Sequence, residues 1–159
     1  NASSYEVASA TRNKTSYEAI INAPKPSAPI KATVTGVHDA DTLYVTTDSG
    51  SQLKVRIQNI DAFELKQKLR DGSLDIGKEG QQYLNSLVNN KQVTLFGYGY
   101  DDKGRMIARV LTKDGRDAGT VVAEEGYAIM TDISELESYP TKAEDMDAVA
   151  PSVYRERNK

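Results

Sequence analysis

Apolar and polar positions begin to alternate at Lys31. Residues 31–38 are rich in β-branched side chains, Thr42 to Thr47 form a second such run, and Asp48-Ser49-Gly50 supplies the turn to a third. In Gln52 to Ile60, Leu53, Val55 and Ile57 share one face, while Lys54, Arg56 and Gln58 share the other. That period of two is the signature of a half-buried strand, and it sets Arg56 on the polar face. The period then lengthens. From Asp75 to Asn89, Tyr83, Leu84, Leu87 and Val88 form the stripe of an amphipathic helix, with Asp75 as N-cap and Asn89-Asn90 as the stop. Gln92 to Tyr98 and Arg105 to Leu111 read as strands around the turn-rich stretch Gly99 to Gly104. Asp117 is placed to cap a second helix that ends at Gly126. Beyond Met130 the pattern weakens, with a third helix expected over Lys142 to Val149.

Three strands, a helix, two strands and a helix make an α+β chain. Five short strands with an inserted helix suit a Greek-key barrel of the OB type, carrying two or three helices. Such barrels bind oligonucleotides or sugars, so the fold alone does not assign a function. Residues 1–30 read as an N-terminal extension. Pro24, Pro26 and Pro29 favour an extended linker there, with a short helical turn at Ser16 to Asn22. The folded domain is expected over 31–150, with 151–159 as a C-terminal tail.

Composition narrows the chemistry. With 159 residues, 38% hydrophobic and 27% charged, the chain is an ordinary globular domain. It has no cysteine, which excludes disulfides, thiolate nucleophiles and sulfur-ligated zinc. Its one histidine, His38, excludes a multi-histidine metal site and is expected to be a surface residue at a strand end. Any metal must therefore be held by oxygen, as calcium and magnesium are. No apolar run approaches the roughly 18 residues of a membrane helix. The net charge of −3 is uneven: residues 1–30 carry +1, 31–113 carry +2 and 114–159 carry −6. The two Asn-x-Ser/Thr sequons, at Asn1 and Asn13, are short enough to occur by chance.

Charged residues recur where strands end. Asp39 and Asp41 lie between the first two strands, Asp61 and Glu64 follow the third, and Arg105 opens the fifth. Taken singly, an Asp in a turn bonds its own backbone and an Arg on a polar face is solvated. Their order and spacing say more. Val37-His38-Asp39-Ala40-Asp41-Thr42-Leu43, then Val55 to Glu64, then Gly77-Lys78-Glu79-Gly80, then Lys103-Gly104-Arg105, resembles the staphylococcal nuclease (thermonuclease) family over roughly residues 31–131.

The resemblance implies a calcium-dependent phosphodiesterase on a five-stranded OB barrel, acting on DNA and RNA at the 5′ P–O bond and leaving 3′-phosphate ends. It implies one Ca²⁺ held by Asp41, Asp61 and the backbone carbonyl of Ala62, with Asp39 in an outer shell. Glu64 would be the general base, and Arg56 and Arg105 the phosphate ligands. The chemistry suits the residue types, because a guanidinium fork matches two phosphate oxygens where an ammonium does not. Some positions depart from the family. Ala40 stands where glycine is common, and a positive φ there would cost about 1–2 kcal/mol. Lys103 replaces a tyrosine, and Asp132 and Ser134 fall where substrate-facing tyrosines occur. Lys103, Tyr100 and Tyr127 are then the expected nucleic-acid contacts, with Tyr98 and Tyr139 as further substitutes.

The substrate expected on this reading is a flexible single strand of DNA or RNA, bound loosely by a monomer. Export to the periplasm or the exterior is expected, since such a calcium site suits millimolar calcium. The alternative is a catalytically inactive OB module that binds nucleic acid or protein. Against it, Asp41, Arg56, Asp61, Glu64 and Arg105 are all present together.

Overall fold

The computed structural model describes residues 25–131 and 148–159. Seven strands and three helices are found among them: β1 (Ile30–Asp39), β2 (Thr42–Thr47), β3 (Gln52–Ile57), β4 (Ile60–Ala62), α1 (Ile76–Val88), β5 (Gln92–Tyr100), β6 (Met106–Thr112), α2 (Ala118–Glu124), β7 (Ala128–Met130) and α3 (Pro151–Arg157). The strands close into a five-stranded barrel in the order β1-β2-β3-β6-β5, and β4 pairs with β7 in a separate two-stranded sheet. The expected α+β barrel is therefore the observed one.

The alternation seen in the sequence fills the barrel. Ala32 and Val34 of β1, Leu43 and Val45 of β2, Val55 and Ile57 of β3, Val93 and Leu95 of β5, and Ala108 and Val110 of β6 are all buried in one core. Burial of each branched side chain contributes about 1.5–3 kcal/mol against leaving it exposed. Helix α1 covers this core with Leu84 and Val88, and Tyr83 and Leu87 pack half-buried beside them. A Cβ on Gly80 would lie 2.9 Å from the Cβ of Tyr127 and 3.2 Å from that of Ala40, so only glycine lets the helix seat this closely.

Most neighbours in the barrel run antiparallel, but β3 and β6 run parallel, with Val55 opposite Met106 and Arg56 opposite Ile107. This pairing brings the start of β6 beside the polar face of β3. The expected third strand, Gln52 to Ile60, is divided in the structure. Asn59 adopts φ 66°, a left-handed conformation that asparagine tolerates, and the chain restarts as β4. The break turns Asp61 out of the barrel wall and into the β4–β7 sheet, opposite Ile129.

The predicted helix ends behave differently. The Asp117 carboxylate accepts from the amide of Thr120 at 3.2 Å, a true cap of α2, and Gly126 has φ 90° past its end. Asp75 occupies the N-cap position of α1 but makes no side-chain cap bond; its carboxylate lies 3.7 Å from the Lys68 ammonium instead. Residues 148–150 are not helical, and the rest of the helix expected over Lys142 to Val149 lies outside the described residues, as does Ser16 to Asn22. Residues 25–29 form neither helix nor strand, and Ser27 fastens them to β5 by two bonds with Gly97, at 2.7 and 3.0 Å. The segment 151–159, read from sequence as a tail, is instead mostly the helix α3.

Candidate active site at the rim of the barrel

The β1–β2 turn, the end of β3, β4 and the start of β6 meet around a cavity of about 390 Å³. Its acids are Asp39, Asp41, Asp61 and Glu64; its bases are Lys54, Arg56, Lys103, Arg105 and Arg155, with exposed His38 at the edge. All five charged positions that defined the sequence pattern thus face one space.

Local structure explains how each arrives there. The turn Asp39-Ala40-Asp41 is tight, and the Asp39 carboxylate accepts from the amide of Asp41 at 3.2 Å. Ala40 is buried there without positive φ, so the alanine brings no backbone strain; its Cβ fills the gap against Gly80. Asp41 is only 5% exposed. One of its oxygens accepts from the Thr42 hydroxyl at 2.8 Å, and the other accepts from the amide of Ala62 at 2.8 Å. Antiparallel pairing of β2 with β3 sets Thr42 opposite Arg56. The Arg56 guanidinium then lies 3.3 Å from Asp41 and 3.7 Å from Asp61, and donates to the Ile57 carbonyl at 2.6 Å.

Arg105 is aimed by a residue outside the sequence pattern. Asp101 accepts at 2.9 Å from the amides of both Lys103 and Arg105, and at 2.8 Å from the Arg105 Nε. Gly104, at φ 77°, closes this turn. The signal lay in Asp101-Asp102-Lys103-Gly104, a turn sequence whose first Asp also holds a side chain. Gln67 plays a similar part for Glu64. It is 1% exposed; its Oε1 accepts from the Glu64 amide at 3.2 Å and its Nε2 donates to the Val149 carbonyl at 2.5 Å. Gly77 completes the support, since a Cβ there would fall 1.6 Å from the Glu64 carbonyl oxygen. This is the physical content of the Gly77-Lys78-Glu79-Gly80 motif: both glycines are close-approach positions.

The third arginine is the largest feature that the sequence reading missed. Arg155, on α3, donates to both oxygens of Asp61, at 3.0 and 2.9 Å, and to Glu64 at 2.8 Å. The hydrogen bonds to Asp61, then the one to Glu64, raise the pKa of its guanidinium. Nothing in the local sequence marks this arginine, because its partners lie 94 and 91 residues away.

The electrostatics are unusual at Asp39. Burial, and after it the adjoining Asp41 carboxylate, push its carboxyl up to about 8. Two buried carboxylates side by side repel one another, and a hard divalent cation is the partner that would relieve both. Asp41 and Asp61, which face the cavity, offer only oxygen, the donor that calcium takes. Among the described residues no three acids converge on a single ion position, and Asp61 is turned to Arg155. Ala62 is joined to this network through its amide, which donates to Asp41.

The expected nucleic-acid contacts divide. Lys103 lines the cavity. Tyr100 does not, but stands 63% exposed on the neighbouring hairpin. Tyr127 is turned inward: its ring packs on Tyr83 with centroids 5.4 Å apart, so its half-buried face supports α1 and is not offered to a base. Tyr98 is half-buried on β5, and Asp132, Ser134 and Tyr139 lie outside the described residues.

Comparison with known proteins agrees with this geometry. Residues 54–155 match the family described as staphylococcal nuclease homologue. The chain is 34% identical over 109 residues to a protein of Escherichia coli O157:H7 named uncharacterized endonuclease, covering 69% of this chain and 66% of that one. An Escherichia coli protein of the same name is 33% identical over the same shares of the two chains. Endonuclease YhcR of Bacillus subtilis (strain 168) is 25% identical over 112 residues, covering 66% of this chain but 9% of that protein. The chain therefore spans just under two thirds of the two Escherichia coli relatives. The family match begins later than the residue pattern suggested and continues into α3, as far as Arg155. With the match running through more than half of its length, the chain belongs to the staphylococcal nuclease homologue family.

Proposed function

We propose that the protein is a nuclease that hydrolyses the phosphodiester bonds of DNA or RNA, with one calcium ion held by Asp41 and Asp61. The observation that carries this reading is the gathering of Asp41, Arg56, Asp61, Glu64 and Arg105 at one cavity from four separate parts of the chain. The names of the relatives, each called an endonuclease, support it.

Calcium, when bound, supplies charge neutralisation of the phosphate and a site for the attacking water. The side chains of this chain do the rest. Glu64 accepts the proton of the attacking water. Arg56 and Arg105 each donate to the phosphate, and their bonds strengthen as charge builds on its oxygens. Asp101 keeps the Arg105 fork oriented, and Gln67 with Gly77 fixes the backbone of Glu64. The bond broken is the 5′ P–O bond, and the product carries a 3′-phosphate.

Lys54 and Lys103 at the cavity edge and Tyr100 beside it offer few phosphate and stacking contacts. Binding should be loose, with a shallow salt slope of about −0.7 per phosphate contact on single strands. A flexible single strand reaches the recessed acids at least cost, whereas a duplex must first fray. The calcium requirement suits a compartment outside the cytoplasm.

Digestion of single-stranded DNA in calcium, in magnesium and in chelator tests the proposal. Cleavage in calcium, little in magnesium and none in chelator is expected, with products extended by a polymerase only after phosphatase treatment. Equal turnover in calcium and chelator would refute the metal assignment, and products extended directly would refute the 3′-phosphate.

A further inference from the structure

The cavity holds a cation supplied by the chain itself. Arg155 spans Asp61 and Glu64 with three charge-assisted bonds of 2.8 to 3.0 Å. Asp61 is one of the two proposed calcium ligands and Glu64 the proposed base, so the guanidinium sits where both roles need the carboxylates free. The Glu64 oxygen that accepts from Arg155 is engaged by that bond and is not open to a water. The fork on Asp61 takes one lone pair of each oxygen and sets a positive charge beside those that remain, so a cation is repelled there.

The attachment of Arg155 is built to let go. Helix α3 has seven residues, too few to be stable alone. It is anchored at its beginning: Pro151 is buried, and the Val149 carbonyl is tied to Gln67. Its other end is exposed, and the Arg155 side chain is itself 45% exposed. The guanidinium can therefore swing into solvent while residues 148–151 stay in place.

We propose that Arg155 and the divalent cation compete for Asp61, and that Arg155 releases Glu64 as it leaves, so that α3 is a latch which calcium opens. This rests on the calcium reading above. The exchange is chemically balanced: a single positive charge with directional donors leaves, and a divalent ion preferring hard oxygen ligands arrives. Opening the latch frees Glu64 to accept a proton and returns a third arginine to the mouth of a cavity meant for phosphate.

Calcium binding to the full chain, followed by calorimetry without nucleic acid, tests the latch in wild type, Arg155→Gln and Arg155→Lys. Hydrogen exchange across residues 148–159 of the wild type is followed in parallel, with and without calcium. If the latch exists, Arg155→Gln binds calcium about tenfold more tightly, the weight of one good charge-assisted fork. Arg155→Lys falls between the two, because it keeps the charge and loses the fork. Protection of residues 151–157 in the wild type drops when calcium is added. Equal or weaker calcium binding by Arg155→Gln would overturn the latch and leave the calcium site standing. Tighter binding with unchanged protection of α3 would also overturn it, since the gain would then be through-space charge alone. Absence of calcium binding in all three proteins would remove the calcium assignment itself, and the latch with it.

Discussion

The two ends of β6 are built from the same side chains and behave in opposite ways. At the far end, Asp114 accepts from the Thr112 hydroxyl and pairs with Arg116 at 3.1 Å, and Asp117 caps α2 while holding Arg109 at 2.7 Å. Each of these four charges has a partner within eight residues, and the arginines are more than half exposed. At the near end, Arg105 borders a cavity in which four acids and five basic residues are crowded together, with partners up to 94 residues apart. Local pairs of the first kind tie down a turn and contribute little more than that. The near end buries two carboxyl groups side by side, Asp39 and Asp41, and burial pushes Asp39 up to about 8, so ionising both costs stability. A fold bears such a cost where the charges do chemistry.

That contrast can be broken from either end. The largest effects belong to the rim. Arg56→Lys and Arg105→Lys should each slow cleavage of single-stranded DNA by about 10²–10³-fold, the weight of a lost oriented donor, with the far-ultraviolet circular dichroism unchanged. A near-normal rate from either variant would make that arginine structural. Gly77→Ala acts on the support of the rim. Its Cβ would meet the Glu64 carbonyl oxygen at 1.6 Å, so urea unfolding should show a loss of about 3 kcal/mol.

The acidity of Asp39 gives a smaller, pH-dependent effect. Its carboxyl is raised from 3.8 to about 8, so within that window the folded chain holds a proton that the unfolded chain releases. Stability in chelator should therefore fall as pH rises from about 4 to 8. Asp39→Asn should flatten this slope and be the more stable protein at pH 8, by about 1 kcal/mol or more. A wild-type slope of the opposite sign would contradict it. The smallest effect is predicted at the far end: Arg116→Ala should change stability by less than about 0.5 kcal/mol and leave the cleavage rate alone.

The same division explains what could be read from the sequence. The barrel strands were legible because inward and outward residues alternate over five or more positions, as in Leu53, Val55 and Ile57. The three-residue strands β4 and β7 are too short to show a period, and Asn59 hid the break before β4 because it is not a glycine. Asp117 was readable as a cap because its partner is three residues away, whereas Asp75 stands at a cap position but is engaged by Lys68. Of the site, Asp41, Arg56, Asp61, Glu64 and Arg105 were legible through their spacing. Gln67, Asp101 and Arg155 were not, because what makes them matter is where the fold brings their partners. Tyr127 was misplaced for the same reason: an aromatic residue near the site in sequence can equally be a brace for α1.

The most direct measurement compares the two ends in one experiment. Cleavage of single-stranded DNA in calcium is followed for the wild type, Glu64→Gln and Arg116→Ala, each checked for folding by urea unfolding. The account predicts that Glu64→Gln, folded like the wild type, loses about 10²–10⁴-fold in rate while Arg116→Ala keeps the wild-type rate. A folded Glu64→Gln protein that cleaves at the wild-type rate would show that the crowded rim is not the catalytic site.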